Sequence, residues 1–156
     1  MPELTYLEMT QPSELRPSTS TFSGQVQLKP IDGNEVRTLT LAVGRDFAWP
    51  SQQWDTRQWK EYLGDPTMRH WAGVIDGAAI GLLSLNLRQA PDVEIDSFGL
   101  VPERIGHGIG GPFLTEAVTM TWALPAQRVW LHTSSDDHPH ALQNYLARGF
   151  RPFKRP

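Results

Sequence analysis

The chain has 156 residues, with 14 Lys and Arg against 17 Asp and Glu, a formal net charge of −3 and a pI near 5.9. That length fits one domain with a proper core, and the mildly acidic balance without any Lys/Arg cluster excludes a nucleic-acid partner. No apolar run approaches the roughly 18 residues of a membrane span, nothing reads as a signal peptide, and the cytoplasm is the expected compartment. With no Cys there is no disulfide framework, and acyl transfer through a thiol acyl-enzyme is excluded.

In chain order, Leu4 to Met9 reads as a first strand and Leu15 to Ser23, rich in Ser and Thr around Pro17, as an irregular connection. A strand is expected at Gln25 to Pro30. Asp32, Gly33 and Asn34 are turn and helix-start residues, after which Val36, Leu39, Thr40 and Val43 recur at helical spacing up to Gly44. The stretch Asp46 to Trp54 holds Pro50 and several aromatics. Asp55 or Thr56 then caps a short helix carrying Trp59, Tyr62 and Leu63, stopped by Gly64-Asp65-Pro66. His70 to Ile75 and Ala79 to Leu87 form a hairpin about Asp76-Gly77, and Val93 to Val101 is its next partner. Phe113, Leu114, Ala117, Val118 and Thr121 make an apolar helical stripe reaching about Leu124. Pro112 is tolerated only in the first turn, so that helix begins near Gly108 or Gly110. Arg128 to Thr133 is the next strand, Asp137 the expected N-cap of a last helix with Pro139 just inside it, Gly149 its end, and Phe150 to Phe153 a final strand.

The segment Val93 to Leu114 joins a strand to a helix through glycines at 106, 108 and 110, and such a junction suits a diphosphate. Glycine lets the backbone approach a ligand, and the free N–H groups at the new helix's positive end favour an anion. Gly106, Gly108 and Gly111 match the dinucleotide fingerprint literally, but Pro102-Glu103-Arg104 separates the turn from its strand and too little chain follows for a second nucleotide-binding half. A nucleoside-triphosphate loop needs Lys and then Ser or Thr, where this chain has Gly111-Pro112.

Leu100-Val-Pro-Glu-Arg-Ile-Gly-His-Gly-Ile-Gly-Gly111 resembles the acetyl-CoA motif of the GNAT superfamily of N-acetyltransferases. Ala141-Leu-Gln-Asn-Tyr-Leu-Ala-Arg-Gly-Phe150 resembles that family's closing helix and strand. The resemblance runs from Val93 to Phe150 and implies a single α/β GNAT domain over residues 1–156. Its sheet is mixed, mostly antiparallel and flanked by helices, with acetyl-CoA wedged where Val93–Val101 and Arg128–Thr133 splay apart. It also implies that Leu100, Val101, Arg104, Ile105, Gly106, His107, Gly108, Ile109 and Gly110 hold the cofactor, mainly through backbone N–H groups. Ile105 stands where the family has Gln or Arg, so the side-chain contact is lost, taken over by Arg104 or His107, or left to the main chain.

Removing a proton from an ammonium needs a tuned base. Glu94 occupies the position where some members of the superfamily carry a glutamate base, fourteen residues before Gly108. Strict alternation would place Glu94, Asp96, Phe98 and Leu100 on one strand face. Asp96 would then orient the acceptor amine or raise the pKa of Glu94 by like-charge repulsion. Tyr145 matches the family Tyr that protonates or holds the CoA sulfur, and His138 the place of an Asn that touches the pantetheine arm. Trp49 beside Pro50 is the expected aromatic wall for the acceptor, while Trp59, Trp122 and Trp130 read as core.

The run His132 to His140 holds ligand-type residues but no HExxH or repeated ligand pair, so no metal is expected and His132 is kept as a reserve base. The reading is therefore direct acetyl transfer from acetyl-CoA to an amine. A non-catalytic acyl-CoA-binding module of the same fold and a nicotinamide-dependent oxidoreductase are the alternatives. The acceptor is not legible, no membrane partner is expected, and the sequence is compatible with a homodimer.

Overall fold

The computed structural model describes residues 2–22 and 24–155, so Ser23, the end of the expected irregular connection, lies outside the described residues. Seven strands form one sheet: β1 (Leu4–Met9), β2 (Gln27–Pro30), β3 (Met68–Ile75), β4 (Ala78–Asn86), β5 (Asp92–Leu100), β6 (Arg128–Ser134) and β7 (Arg151–Pro152). Their order is β2-β3-β4-β5-β6-β1-β7, and every pairing is antiparallel except β5 with β6. The Asp76-Gly77 turn, both residues at positive φ, closes the β3–β4 hairpin as its sequence demands.

Helices α1 (Gly33–Gly44) and α2 (Thr56–Leu63) lie on one face of the sheet. The α1 stripe Val36, Leu39 and Val43 buries against Ala72 and Leu82 of β3 and β4. Asp55 caps α2 in a reciprocal box: its carboxylate accepts the Gln58 N–H at 2.9 Å, and the Gln58 side chain accepts the Asp55 N–H at 3.0 Å. Helices α3 (Gly110–Ala123) and α4 (Ala141–Ala147) cover the other face. Leu114, Ala117 and Val118 of α3 and Tyr145 of α4 pack with Leu7, Leu83, Leu85, Val93, Ile95, Val129 and Leu131, the main core. No helix among the described residues is long and apolar enough to cross a membrane.

Three expectations need correction. First, α4 begins at Ala141 rather than at an Asp137 cap. The Asp137 carboxylate turns back instead and accepts from Thr133 Oγ1 at 2.7 Å and Ser134 N at 2.9 Å, closing the end of β6. Second, the last strand keeps only Arg151 and Pro152, because Pro152 has no N–H for a ladder and Phe150 is drawn into the core.

Third, β5 does not alternate strictly. Ser84 pairs with Ser97 but Leu85 with Ile95, so Asp96 is an extra residue bulged out of the ladder. Past the bulge the side-chain phase reverses. Phe98 and Leu100 join Val93 and Ile95 on the α3 side, where Phe98 lies 4.5 Å from Phe113 ring to ring, while a Cβ on Gly99 would meet Val43 of α1.

Candidate active site

β5 and β6 are bonded over only three pairs: Asp92 with Arg128, Val93 with Val129, and Glu94 with Trp130. Beyond Glu94 the two strands diverge, and their unpaired edges border a wedge. Val101 N–H is spent on Ile80 O at 2.9 Å, so of the two expected main-chain donors Val101 is occupied. Alternation of an antiparallel ladder then turns the N–H groups of Leu100 and Phe98 the other way, toward the wedge.

Glu94 stands at the closed end of this wedge, on the face opposite α3, with Oε2 3.8 Å from His132 Nδ1. Its side chain is 16% exposed. Burial, then the like charge of Asp96, push its pKa up to about 7, against a smaller opposing pull from Arg155 and Arg88. That is where a general base works best at neutral pH.

Asp96 accepts a hydrogen bond from the Tyr62 hydroxyl at 3.2 Å, and the Tyr62 ring lies 5.3 Å from that of His70, whose Nδ1 is 2.7 Å from Ser84 Oγ. Protein atoms crowding Asp96 push its pKa up, yet its surface remains solvent-accessible, so the push weighs little in stability. The chain from His70 through Tyr62 to Asp96 joins residues far apart in sequence, and no local pattern announces it.

The glycine turn follows a 3-10 turn at Pro102–Arg104, with Ile105 closing it. Gly106 (φ 87°) and Gly108 (φ 75°) both take the left-handed conformation, and nothing would meet a Cβ on Gly106, which leaves its surface open to a ligand. His107 is exposed and Arg104 half-buried, whereas Ile109 is buried beside Phe113, so only its backbone can face a ligand. The segment Arg16–Phe22 lies across this junction: Ser20 Oγ donates to Gly108 O at 2.7 Å and Ser18 N to Thr115 Oγ1 at 3.0 Å. Asn144 Nδ2 donates to Gly110 O at 3.1 Å, tying α4 to the start of α3.

Tyr145 is 8% exposed, with its ring 6.3 Å from Phe98 on the diverging part of β5. Its hydroxyl has no hydrogen-bond partner among the described residues. Burial, then the charge of Asp137, raise its pKa, so it stays a proton donor. Trp49 packs on Gly44 and donates from Nε1 to Asp137 Oδ1 at 3.2 Å. Phe47 sits edge-on to His138 at 5.6 Å, and His138 Nδ1 accepts the His140 N–H at 3.0 Å. The loop after α1 and the loop after β6 thus form one lip beside the wedge, with Trp49 a strut of it. Among the described residues no three His, Asp or Glu side chains converge as metal ligands.

Asp137 holds three hydrogen bonds as an acceptor, so Asp137→Ala should cost about 2–3 kcal/mol in urea denaturation, and Asp137→Asn less. A variant within 0.5 kcal/mol of wild type, roughly the size of an ordinary surface substitution, would show that the lip is not anchored there.

The decisive comparison is with a family model, described as the Acetyltransferase (GNAT) family, which matches residues 24–150. The chain belongs to that family. Solved structures agree on the fold. A GCN5-related N-acetyltransferase from Kribbella flavida superposes with a TM-score of 0.66 at 17% identity, covering 95% of this chain and 53% of that one. An IAA acetyltransferase from Bacillus cereus gives 0.64 at 21% identity, covering 83% and 79%. A GNAT family acetyltransferase from Elizabethkingia anophelis, solved with acetyl-CoA bound, gives 0.63 at 16%, covering 83% and 78%. Against the first three structures the chain spans 57%, 53% and 49% of their length, about half. Among curated proteins none matches this sequence.

Proposed function

We propose that this GNAT domain transfers the acetyl group of acetyl-CoA directly to a primary amine of a small molecule or peptide, with Glu94 as base and Tyr145 as acid. The carrying observation is that the strand pairing ends at Glu94, which places a carboxylate of raised pKa at the closed end of a wedge whose other end leads into the glycine turn. The turn suits the donor's diphosphate: Gly106 offers an open backbone surface, and the first turn of α3 supplies N–H groups with no intrahelical partner. The N–H groups of Leu100 and Phe98 are candidates to hold the pantetheine arm and polarise the thioester carbonyl. With the missing Gln or Arg at Ile105, the main chain carries most of the anion binding.

In the reaction the acceptor ammonium gives a proton to Glu94. Its nitrogen then forms a bond to the acetyl carbon as the carbon–sulfur bond breaks, Tyr145 protonates the departing thiolate, and the nitrogen's surplus proton leaves to solvent, from which Tyr145 regains its own. Asp96 and the Trp49 lip would orient the acceptor. The expected setting is the cytoplasm.

The test pairs binding with turnover. Acetyl-CoA at about a hundred times its Kd should stabilise the fold by about 2.7 kcal/mol, which raises Tm by roughly 5–10 °C for a chain of this size. Thiol release should then appear with one class of amine, and Tyr145→Phe should lower kcat about 100-fold or more while leaving the acetyl-CoA shift intact. Stabilisation without thiol release across a broad amine panel would favour a binding module, and stabilisation by NAD in its place would remove the family chemistry altogether.

A further inference from the structure

On the Glu94 side of the sheet, away from the glycine turn, a cavity of about 190 Å³ opens between the end of β4 and the tail after β7. It is lined by Asn86, Arg88, Asp92, Glu94, Trp130 and Arg155 among others. Its size lies below the roughly 300–1,000 Å³ of sites for drug-sized ligands, so it suits a small acceptor.

The charges in this cavity are not equivalent. Asp92 is paired with Arg128 at 3.6 Å, and Arg88 donates to Asp65 at 2.8 Å, so both are already answered. Arg155 is different: among the described residues no carboxylate lies within ion-pair distance of it. Its guanidinium is held over the Tyr6 ring at 5.5 Å and the Trp130 ring at 5.9 Å, with a long contact of 3.4 Å to the Tyr6 hydroxyl. Aromatic stacking fixes a guanidinium in place without neutralising it, and leaves its edge free for a planar anion. Trp130, 9% exposed, keeps a buried indole N–H with no partner among the described residues. The cavity therefore joins an unanswered cation to the carboxylate at which the amine must arrive.

We propose that this cavity selects a small zwitterionic acceptor, an amino acid or a close analogue, whose carboxylate pairs with Arg155 while its amine lies at Glu94. This assignment rests on the acetyl-transfer reading above and names its substrate class. A bidentate guanidinium–carboxylate pair orients as well as attracts, so it would aim the nitrogen past Glu94 toward the wedge. Neutral Asn86 at the rim adds hydrogen bonds without repelling the anion.

The test compares L-amino acids with their carboxamides and their decarboxylated amines, by thiol release from acetyl-CoA and, separately, by calorimetric binding to the full chain. At least one acid should exceed its carboxamide 10-fold or more in kcat/KM and in affinity. In Arg155→Gln that ratio should collapse toward one, through KM rather than kcat. Binding that prefers the acid without any thiol release would uphold this site and sink the transfer reading. Acids and carboxamides bound or turned over alike, a preference for decarboxylated amines, no binding by any member of the panel, or an unchanged ratio in Arg155→Gln would overturn the proposal.

Discussion

Glu94→Gln should lower kcat with the acetyl acceptor by about 10²–10⁴-fold, the usual contribution of a positioned general base. The same substitution should erase the limb of the pH–rate profile that rises toward neutral pH. In wild type that limb follows the ionisation of Glu94, pushed up to about 7 by burial and Asp96, so activity falls as pH drops below 7. His132, Arg88 and Arg155 surround the same carboxylate and remain in the variant, so a limb that survives there would show that Glu94 is not its source.

Stability should move the other way. A carboxyl whose folded pKa is raised resists ionisation in the folded state. The penalty is absent below the unfolded value near 4.5, grows between there and about 7, and is complete above. Glu94→Gln should therefore melt higher than wild type at pH 8 and about the same at pH 4. An inactive variant whose extra stability builds up as pH rises from about 4.5 to about 7 separates a poised base from a merely structural side chain. Equal melting points at pH 8 would remove the argument for a strained carboxylate.

Gly149→Ala should be the most destabilising small substitution in the chain. Gly149 has φ 106°, and a Cβ there would run into the carbonyl oxygen of Glu14. Backbone strain costs roughly 1–3 kcal/mol and overpacking a further 1–3 kcal/mol. Together they predict a Tm loss of about 4–24 °C for a chain this long. The carbonyl cannot easily yield: Glu14 closes a short 3-10 turn, pairs with Arg151, and accepts from Thr10 N at 2.7 Å, while Arg16 N bonds Arg148 O at 2.8 Å next door. A Tm within about 2 °C of wild type, less than 1 kcal/mol for a chain of this size, would mean the two segments separate at little cost.

Local physics made most of the fold legible in the sequence. Asp55 ahead of a short amphipathic run, Asp76-Gly77 between alternating strands, and Pro112 in the first turn of a helix each act within a few residues, and each element appears where those signals put it. The glycine turn was legible for the same reason. What escaped were long-range effects. No local pattern marks Asp96 as the extra residue of a bulge, since the bulge exists only relative to Ser84 and Leu85 on the neighbouring strand. Strict alternation therefore put Phe98 and Leu100 on the wrong face. Asp137 looked like a helix cap because Asp is a favoured N-cap and Pro139, two residues on, suits a first turn; its real partners include Trp49, 88 residues away. Arg155 and Trp130 converge beside Glu94 only once β1, β6 and β7 are laid side by side.

The three-pair contact between β5 and β6 has a mechanical meaning. The sheet is two antiparallel blankets, one of β2, β3, β4 and β5 and one of β6, β1 and β7, stitched along a single short seam. Apart from the two-residue edge strand β7, each blanket is laced along longer ladders than the stitch, so among the interior strands compliance is concentrated at the stitch, where few backbone bonds resist opening. The chain thus carries a deformable line through the middle of its core layer, with Glu94 as the last stitch, and anything filling the gap beyond it acts as a clamp on the two halves.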